Sequence, residues 1–492
     1  MVTVYKLKIG EMRMDKVFEI PKDFVTRHYA DKSKLPAYRT QFMRDRDRIL
    51  YCTAFRRLAG KTQIYTIGND DHKRNRLTHT LEVAQIARTI AVGLGLNCDL
   101  AEAMALGHDL GHSPFGHAGE EMLNQIMVPE SNEIKGSPFI QKLSTIKNTL
   151  EREMPTTSVD YLFGYKHNLQ SVRVAAVLED SYRDVKQSNI GLNLTNYTLW
   201  GIMHHAELHY NGDTLYPNYQ NQFESHLRVR RHADVEAWSF EGYVVRIADL
   251  IAQYHHDLED AYRGRAIPVA IICETIQKAL GNCLSDEDSK CLMAISEERE
   301  LQRKCLAELS HIVVNSLVSD VVKQSSRNLE IIKNEIIAKH PTKAKKTLAK
   351  LLYSDYEHNI DSIPKEKVIC FSNSISIDQF NKVIRSSVHH AREVGRMNVK
   401  GQYIIKKLFQ AYYKNPQQLP DGPILHFMVE IGEFTSVEDA LQKGVGFVRM
   451  KMEEKMKNPK LFMQCVLMRR ICDHIACMTD RYAIEEYNNL YG

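Results

Sequence analysis

Residues 108–120 have the sequence HDLGHSPFGHAGE, and this stretch says more about the protein than any other. It holds three histidines and two carboxylates, interleaved with glycine and proline. A buried structural core has no need of so many ionisable side chains close together. Neutral imidazoles and carboxylates are typical ligands of a divalent metal that supports hydrolysis. The stretch therefore predicts a metal site with proton-transfer groups beside it.

Helical periodicity dominates the chain on both sides of this stretch. Apolar residues recur at three- and four-residue steps over 77–94 and again over 235–261. Residues 100–110 are rich in Ala and Leu, with Gly111 placed as a stop signal. Strand signals are weak, the clearest being an alternation over residues 1–8. We predict an all-α protein.

The chain is long enough for two to three domains. We predict an N-terminal segment over 1–36, a core over 37–285 that contains the stretch 108–120, and a helical C-terminal region over 286–492. Pro, Gly and Asn punctuate the segments 127–166 and 208–221, which we expect to be long irregular connections.

The composition is that of an ordinary soluble globular protein, with 43% hydrophobic and 26% charged residues. A net charge of +4, from 65 basic and 61 acidic residues, is too near balance to indicate nucleic acid binding by itself. The basic run over 339–346 lacks interleaved aromatic residues, so a solvated surface is its simpler interpretation.

The location of the protein is predicted from three features of the sequence. Ten scattered cysteines form no CxxC pair, which indicates reduced thiols. The first residues lack the apolar stretch of a signal peptide, and no run approaches the roughly 18 apolar residues of a membrane helix. We expect a cytoplasmic protein that does not contact a membrane.

Further ligands for a metal lie far from the central stretch. His79 follows the start of one apolar-periodic segment, and Asp249 lies inside another. Side chains on separate helices are the usual way to build a metal site in a helical core. Together with His108 and Asp109 they give the order H…HD…D, which resembles the HD phosphohydrolase superfamily. Any single buried histidine is more simply explained as a core residue, but the four together favour metal ligation.

Three further segments resemble the bacterial deoxyguanosine triphosphate triphosphohydrolases. They are FRRLAGKTQ at 55–63, DLEDA at 257–261 and MTDRYA at 478–483. The resemblance covers residues 37–270 and returns over 400–492. It implies a helical enzyme that hydrolyses deoxynucleoside triphosphates, dGTP foremost, to deoxynucleoside and inorganic triphosphate, by attack of water on the α-phosphorus.

The resemblance also implies a cofactor and partners. One divalent metal per subunit is expected, Mn²⁺ or Mg²⁺ foremost, with Fe, Co, Ni or Zn also compatible with a His₂Asp₂ ligand set. Relatives assemble into tetramers or hexamers, and some are activated by a dNTP bound between subunits, so we expect a homo-oligomer and a possible dNTP activator. The resemblance also implies that residues 37–285 form the catalytic HD core and that residues 286–492 complete the substrate pocket and the oligomer interface.

Four residues are candidates for proton transfer. His117 and Glu120 match the catalytic pair of the family, and Glu120 would lie in the first turn of a helix that starts near Ala118, where a carboxylate is also a simple helix cap. His112 and His167 match histidines that animal relatives use near the α-phosphate and the leaving 5′-oxygen. Bacterial relatives commonly have Gly in place of His167, so a loop or surface histidine is the alternative for both.

Four residues are candidates for substrate binding. Arg76 lies three residues before His79, on the same helix face, and its fork geometry suits phosphate. Gln63 matches the family glutamine that binds the sugar 3′-hydroxyl. Gln253 stands where relatives place a tyrosine against the deoxyribose, which puts strict selectivity for deoxyribose in doubt unless the neighbouring Tyr254 takes that role.

The phosphate charge is not fully met by these residues. Leu250 stands where animal relatives have a phosphate-binding lysine. Lys166, Arg228, Arg230 and Arg231 are candidates to replace it, although a solvated basic surface is the simpler interpretation of each.

Two rival functions remain at this point. The first is another HD-type activity, a nucleotide phosphatase or phosphodiesterase. The second is a non-catalytic scaffold that senses nucleotides or binds nucleic acid. The complete ligand set with His117 and Glu120 argues against the second, because a sensor has no need of hydrolytic groups.

Overall fold

The computed structural model describes residues 15–31, 35–63, 74–153, 159–180, 182, 190–206, 236–263, 267–297, 303–390 and 392–492. Within these ranges the chain forms helices and two isolated β-bridges, and no strand. The all-α prediction is therefore confirmed. The alternation over 1–8, the connection over 208–221 and the three arginines at 228, 230 and 231 lie outside the described residues.

The first nine α-helices carry most of the residues singled out above. Their bounds are α1 Gln41–Tyr51, α2 Thr53–Arg57, α3 Arg76–Leu94, α4 Cys98–Gly107, α5 Gly116–Met127, α6 Leu143–Glu153, α7 His167–Arg173, α8 Asn196–His204 and α9 Phe240–Arg263. Short 3₁₀ turns lie at Leu58–Gly60, Pro138–Ile140 and Asp160–Leu162, and a π-turn at Val174–Leu178 extends α7.

The C-terminal half is also helical where it is described. Its helices are α10 Val269–Leu280, α11 Asp286–Ser296, α12 Arg303–Lys339, α13 Lys345–Ser354, α14 Tyr356–Asn359, α15 Ile377–Phe380, α16 Ser386–His389, α17 Arg392–Lys414, α18 Asp421–Glu430, α19 Val437–Gln442, α20 Val445–Met456, α21 Leu461–Ala476 and α22 Asp480–Tyr491. Asn381–Arg385 forms a π-turn, and Lys365–Lys367 and Pro416–Gln418 form 3₁₀ turns.

Local sequence signals set the bounds of α3. The Asn75 side chain accepts a hydrogen bond from the Thr78 backbone N–H at the start, and Gly95 ends the helix in the left-handed conformation, with φ 66°. Both are common terminal signals, because they satisfy backbone groups that the helix leaves unpaired. The segment predicted at 77–94 is therefore a helix, with its start one residue earlier.

Helix α4 ends earlier than predicted. Its last residue is Gly107 rather than Leu110, and His108 caps it. Gly111 has a different role from a stop signal: a Cβ there would collide with the backbone of Ser171 in α7. The Gly111 N–H also donates to Ser171 Oγ at 2.8 Å. The missing side chain thus lets α7 approach the segment that follows α4.

Two further predictions of local structure are wrong. The segment 127–166 is not a long irregular connection, because it contains α6, whose Ile146 and Leu150 are one turn apart and buried. Helix α5 starts at Gly116 instead of near Ala118, so Glu120 lies in its second turn rather than its first.

The helices pack around two hydrophobic clusters. The first is formed by α1, α3, α4, α8 and α9, together with α12 and its neighbours up to residue 388. The second lies among α5, α6, α17, α18, α21 and α22. Residues 286–388 thus pack with the helices before residue 285, and the predicted three-part division of the chain stays a prediction.

One described helix, α12, is long and apolar enough to span a membrane by length and composition. Half of its apolar stretch is buried in the protein, where Leu309, Val313 and Leu317 join the first cluster. Contacts with α3 and α9 bury this face. A core helix of that kind passes the same test without a membrane.

Candidate metal centre and substrate cavity

A cavity of about 420 Å³ lies where α3, α5, α7 and α9 meet the segment 385–398. Its walls combine histidines, carboxylates and basic side chains, which suits a charged, polar ligand. The lining residues are Gln63, Arg76, His79, Asp109, His112, Phe115, His117, Ala118, Lys166, His167, His205, Ala206, Arg246, Asp249, Leu250, Gln253, His256, Asp257, Arg385, Val394 and Asn398.

The four predicted metal ligands converge at this cavity, and all four are buried. His79 Nε2 lies 3.0 Å from Asp249 Oδ1 and 3.9 Å from Asp109 Oδ2. His108 Nε2 lies 3.4 Å from Asp109 Oδ1 and 3.9 Å from Asp249 Oδ1. Three chain segments distant in sequence, around His79, His108-Asp109 and Asp249, thus place their ligand atoms around one point.

These residues fit a divalent metal by distance and by hydrogen bonding. Metal–ligand bonds of about 2.0–2.2 Å put neighbouring ligand atoms about 3 Å apart and opposite ones about 4 Å apart. The observed separations fall in this range. Within the described part of the chain, His108 Nε2 and Asp249 Oδ1 are buried and have no hydrogen-bond partner, a cost that a bound cation would remove.

The His108 ring is oriented by its own helix. Its Nδ1 lies 2.6 Å from the Ala105 carbonyl oxygen, so Nδ1 carries the proton and donates it. The lone pair of Nε2 then faces the other ligands. An imidazole fixed in this way through its second nitrogen is typical of metal-binding histidines.

Arg76 bridges this cluster and the cavity. Its Nη1 donates to Asp109 Oδ2 at 2.7 Å, while its Nε and Nη2 atoms are buried and have no hydrogen-bond partner among the described residues. Burial would raise the pKa of the Asp109 carboxyl, but His108, His112 and Arg76 together hold it well below its usual range. Asp109 is therefore an anion at neutral pH.

The four predicted proton-transfer residues also come together. His112 Nε2 lies 3.3 Å from Asp109 Oδ1, and its ring stacks on the His167 ring with centroids 4.0 Å apart. The ligand atoms of His112, His117 and Glu120 lie within 4.8 Å of one another. His117 is exposed to solvent, whereas the other three are buried.

The hydrogen bonding of Glu120 differs from the predicted pairing with His117. Its Oε2 accepts a hydrogen bond from His167 Nδ1 at 2.6 Å, and Lys166 Nζ lies 3.3 Å from its Oε1. Burial opposes ionisation, but the neighbouring His167, His112 and His117 hold the pKa of Glu120 well below its usual range. His167 begins α7 and is buried, so its interpretation as a surface loop residue is wrong.

The predicted substrate-binding residues divide into two groups. Gln63, Arg76 and Gln253 line the cavity, and Gln253 Nε2 also donates to Asp249 Oδ2 at 2.9 Å. Tyr254 does not line it: its side chain is buried and packs on the Phe380 ring, with centroids 5.4 Å apart. The sugar-binding role of Tyr254 stays a prediction that this orientation does not favour, because successive positions on a helix point about 100° apart.

Several lining residues escaped the sequence argument, among them the ionisable side chains of His205, Asp257 and Arg385. His205 is buried, and burial with the nearby His108 and His167 lowers its pKa to about 3, so its ring is neutral. Asp257 is buried with Arg385 Nε 3.8 Å from its Oδ2, and burial raises its pKa to about 6. Asp257 lies in the DLEDA segment and was a findable candidate, whereas Arg385 carries no local signal.

The fold and this site define a hydrolase of the metal-dependent HD phosphohydrolase class. The HD domain family matches residues 76–252, and the phosphohydrolase-associated domain family matches residues 451–489. These matches include the four candidate ligands and most of the C-terminal helix α22.

Comparison with curated proteins narrows the class. The chain is 31% identical to a deoxyguanosinetriphosphate triphosphohydrolase-like protein of Bartonella tribocorum, over 93% of this chain and 91% of the relative. Proteins of the same description from Leptospira interrogans and Thiobacillus denitrificans are each 30% identical, over 92% and 95% of this chain and 90% and 95% of their own lengths. The chain belongs to the deoxyguanosinetriphosphate triphosphohydrolase-like family.

Proposed function

We propose that this protein hydrolyses deoxynucleoside triphosphates, dGTP foremost, to deoxynucleoside and inorganic triphosphate. The observation that carries the proposal is one cavity that combines the His/Asp cluster with a buried arginine whose Nε and Nη2 have no hydrogen-bond partner among the described residues. A polyanionic phosphate chain supplies the acceptors that Arg76 lacks, and its guanidinium geometry suits them. The names of the similar proteins point to the same substrate class.

A metal in this proposal would be held by His79, His108, Asp109 and Asp249. A bound divalent ion, Mn²⁺ or Mg²⁺ foremost, would supply Lewis-acid chemistry that polarises the phosphate and lowers the pKa of water near neutral pH. Arg76 binds the phosphate oxygens and stabilises the charge that develops on them. Lys166 and Arg246, which also line the cavity, add positive charge for the rest of the triphosphate.

Proton transfer falls to His117 and His112 in this proposal. His117 is exposed at the cavity next to the Glu120 carboxylate, which stabilises a proton taken from the attacking water. His112 would protonate the departing 5′-oxygen after it has itself taken up a proton, because burial and the nearby Arg76 and His167 hold the pKa of its ring well below the usual value. His112 is favoured over His167 for this step because both ring nitrogens of His167 are engaged, by Glu120 and by His205.

Sugar binding is assigned to the two glutamines. Gln63 Oε1 is buried without a hydrogen-bond partner within the described residues, so it can accept a hydrogen bond from a 3′-hydroxyl. A site built to bind that hydroxyl discriminates against analogues that lack it. The Gln253 side-chain N–H donates a hydrogen bond to Asp249. This bond supports a role for Gln253 in orienting that carboxylate, in addition to any contact with the sugar.

The remaining properties stay predictions. Assembly into tetramers or hexamers, activation by a second dNTP and a cytoplasmic location are implied by the resemblance and by composition alone. The three-part division of the chain has the same standing.

A product assay tests the proposed function. Purified protein with Mn²⁺ is incubated with each dNTP, with mixtures of all four and with GTP, and products are separated by anion exchange. We expect inorganic triphosphate and deoxynucleoside, with GTP measuring the selectivity for deoxyribose. Release of orthophosphate or a nucleoside monophosphate would support the rival phosphatase or phosphodiesterase activities instead.

Two variants control the assay. His117→Ala is expected to lose triphosphate release, and His311→Ala, which removes an exposed histidine of α12, is expected to retain it. No turnover of any dNTP, alone or in mixtures, would refute the proposal and favour the nucleotide-sensing scaffold.

A further inference from the structure

The proposed metal ligand His79 has one buried nitrogen that lacks a hydrogen-bond partner among the described residues. Its Nε2 lies 3.0 Å from Asp249 Oδ1, so Nε2 is the atom that faces the proposed metal position. A neutral imidazole that binds a cation through Nε2 carries its proton on Nδ1. That Nδ1 atom is the buried, unpartnered one. His79 therefore differs from His108, whose Nδ1 donates to the Ala105 carbonyl oxygen.

The side chain that packs on the His79 ring is a second histidine, His256 of α9. The two rings meet edge to face, with centroids 5.0 Å apart. His256 is 1% exposed, and both rings line the substrate cavity. Its Nδ1 is also buried and has no hydrogen-bond partner within the described part of the chain. Two unpartnered nitrogens thus belong to two rings in contact.

Glu82 determines which nitrogen of His256 carries the proton. His256 Nε2 lies 2.5 Å from Glu82 Oε2. An ionised carboxylate only accepts hydrogen bonds, so Nε2 carries the proton and donates it. In the neutral ring, which burial favours, Nδ1 is then an acceptor. The unpartnered nitrogen of His256 can therefore accept the proton that the unpartnered nitrogen of His79 has to donate.

We propose that Glu82 and His256 are positioning residues for the metal ligand His79. In this arrangement His79 Nδ1–H donates to His256 Nδ1, directly or through one water, and His256 Nε2–H donates to Glu82. The carboxylate thereby fixes the orientation of both rings and raises the basicity of His79 Nε2 toward the ion. The inference rests on the metal position of the proposed function and deepens it.

The helices that supply the metal ligands also supply the two positioning residues. Glu82 follows His79 by three residues on α3, so both side chains lie on one face of that helix. His256 follows Asp249 by seven residues on α9, two turns further along the same face. Because α3 and α9 pack against each other, these two faces meet at the metal position.

Three other roles account for part of this geometry. Arg74 Nε lies 3.2 Å from Glu82 Oε1, so Glu82 could serve only in an ion pair. Ligand atoms of Glu82, His255 and His256 lie within 4.8 Å of one another and could hold a separate ion. The 2.5 Å between His256 and Glu82 is, however, shorter than the roughly 3 Å between neighbouring ligands of one ion. Finally, His256 could contact the substrate, because it lines the cavity.

The test measures the dissociation constant of the most tightly held Mn²⁺ by equilibrium dialysis of the full-length protein. Glu82→Ala and His256→Phe should each weaken binding by about 10–100-fold. Glu82→Gln keeps an oxygen that can accept from His256, so it should bind Mn²⁺ more tightly than Glu82→Ala. His256→Gln likewise keeps an acceptor for His79 and should bind more tightly than His256→Phe. Circular dichroism and thermal melting establish which variants are folded, and either pair of variants tests the proposal without the other.

Two matched variants control for the neighbouring groups. Arg74→Ala removes the ion pair with Glu82 and leaves the proposed hydrogen bonds in place, so it should bind Mn²⁺ like the wild type. His255→Gln alters the adjacent histidine of α9, whose Nδ1 lies 3.4 Å from Glu82 Oε2, and should also retain the affinity. A side chain that acts only on stability would lower the melting temperature of its variant without the graded change in Mn²⁺ affinity.

Several results would overturn the proposal. Unchanged Mn²⁺ affinity in the folded Glu82→Ala or His256→Phe variant would do so, and a raised KM for dNTP alone would make His256 a substrate contact. Equal losses in Glu82→Gln, Glu82→Ala and Arg74→Ala would assign Glu82 to the ion pair. Loss of one bound ion in His255→Gln would indicate a separate metal. Mn²⁺ binding does not depend on turnover, so the expected affinities in a protein that hydrolyses no dNTP would refute the proposed function and not this inference.

Discussion

Asp480 ties the C-terminal helix α22 to both edges of the active-site cavity, and its replacement by Asn should be costly. The side chain is 2% exposed. Its Oδ2 accepts hydrogen bonds from the Thr62 N–H at 3.0 Å and from Thr62 Oγ1, and its Oδ1 accepts one from the Phe115 N–H at 2.9 Å. Thr62 precedes Gln63, and Phe115 precedes the helix that carries His117.

The expected loss of stability follows from the number of hydrogen-bond acceptors that Asn has at position 480. Asn offers one acceptor oxygen, so in either orientation its NH₂ group faces a buried backbone N–H. An unsatisfied buried donor costs about 1–3 kcal/mol, and we expect the free energy of unfolding to fall by that amount. Phe115 also adopts the left-handed conformation, with φ 62°, which is strained for a residue other than glycine. The hydrogen bond from its N–H to Asp480 helps to hold it in that conformation.

Urea denaturation of Asp480→Asn and of a matched variant measures the effect. Asp286→Asn changes an exposed aspartate at the same first position of α11, and should cost less than about 0.5 kcal/mol. We also expect a lower kcat for Asp480→Asn in the triphosphate assay. A stability within about 0.5 kcal/mol of the wild type would refute the reasoning, because the unsatisfied donor would then have found another partner.

Two more predictions concern the cavity wall. Gln253→Ala removes the hydrogen bond to Asp249 and should weaken Mn²⁺ binding by about 10–100-fold in a dialysis titration. Unchanged affinity would show that the Gln253 hydrogen bond is not needed to orient Asp249. Asp257→Asn should stabilise the protein at pH 7, because burial raises the pKa of Asp257 to about 6 and its ionisation therefore opposes folding. The free-energy cost of ionising the buried carboxyl grows as pH rises from about 4, the pKa of Asp in the unfolded chain, to about 6. The stability gained by the Asn variant should therefore vanish below about pH 4. A gain that does not change with pH would contradict this account.

Much of the site could be predicted from sequence because its signals are local. The adjacent pair His108-Asp109 stands out by residue type alone, and its resemblance to a known order then pointed to His79 and Asp249. The extent of α3 followed from the apolar residues that recur at helical steps over 77–94. Such signals depend on residue types within a few positions, so they survive without knowledge of the tertiary fold.

Other features were decided only by tertiary packing. Nothing local distinguishes Gln253, which faces the cavity, from Tyr254, which faces Phe380. Helix α6 was missed because its apolar stripe is short and interrupted by turn residues, and it is the contact with α21 that buries it.

By itself, the sequence determined the helical class, the candidate ligand order and the family resemblance, because each is encoded in periodicity or in residue types at set positions. The tertiary structure alone decided which partner each ionisable group has. It paired Glu120 with His167 and brought His205 to that pair from a separate helix. The reason is that hydrogen bonds across the core depend on how helices distant in sequence cross, and on where a glycine such as Gly111 lets them approach.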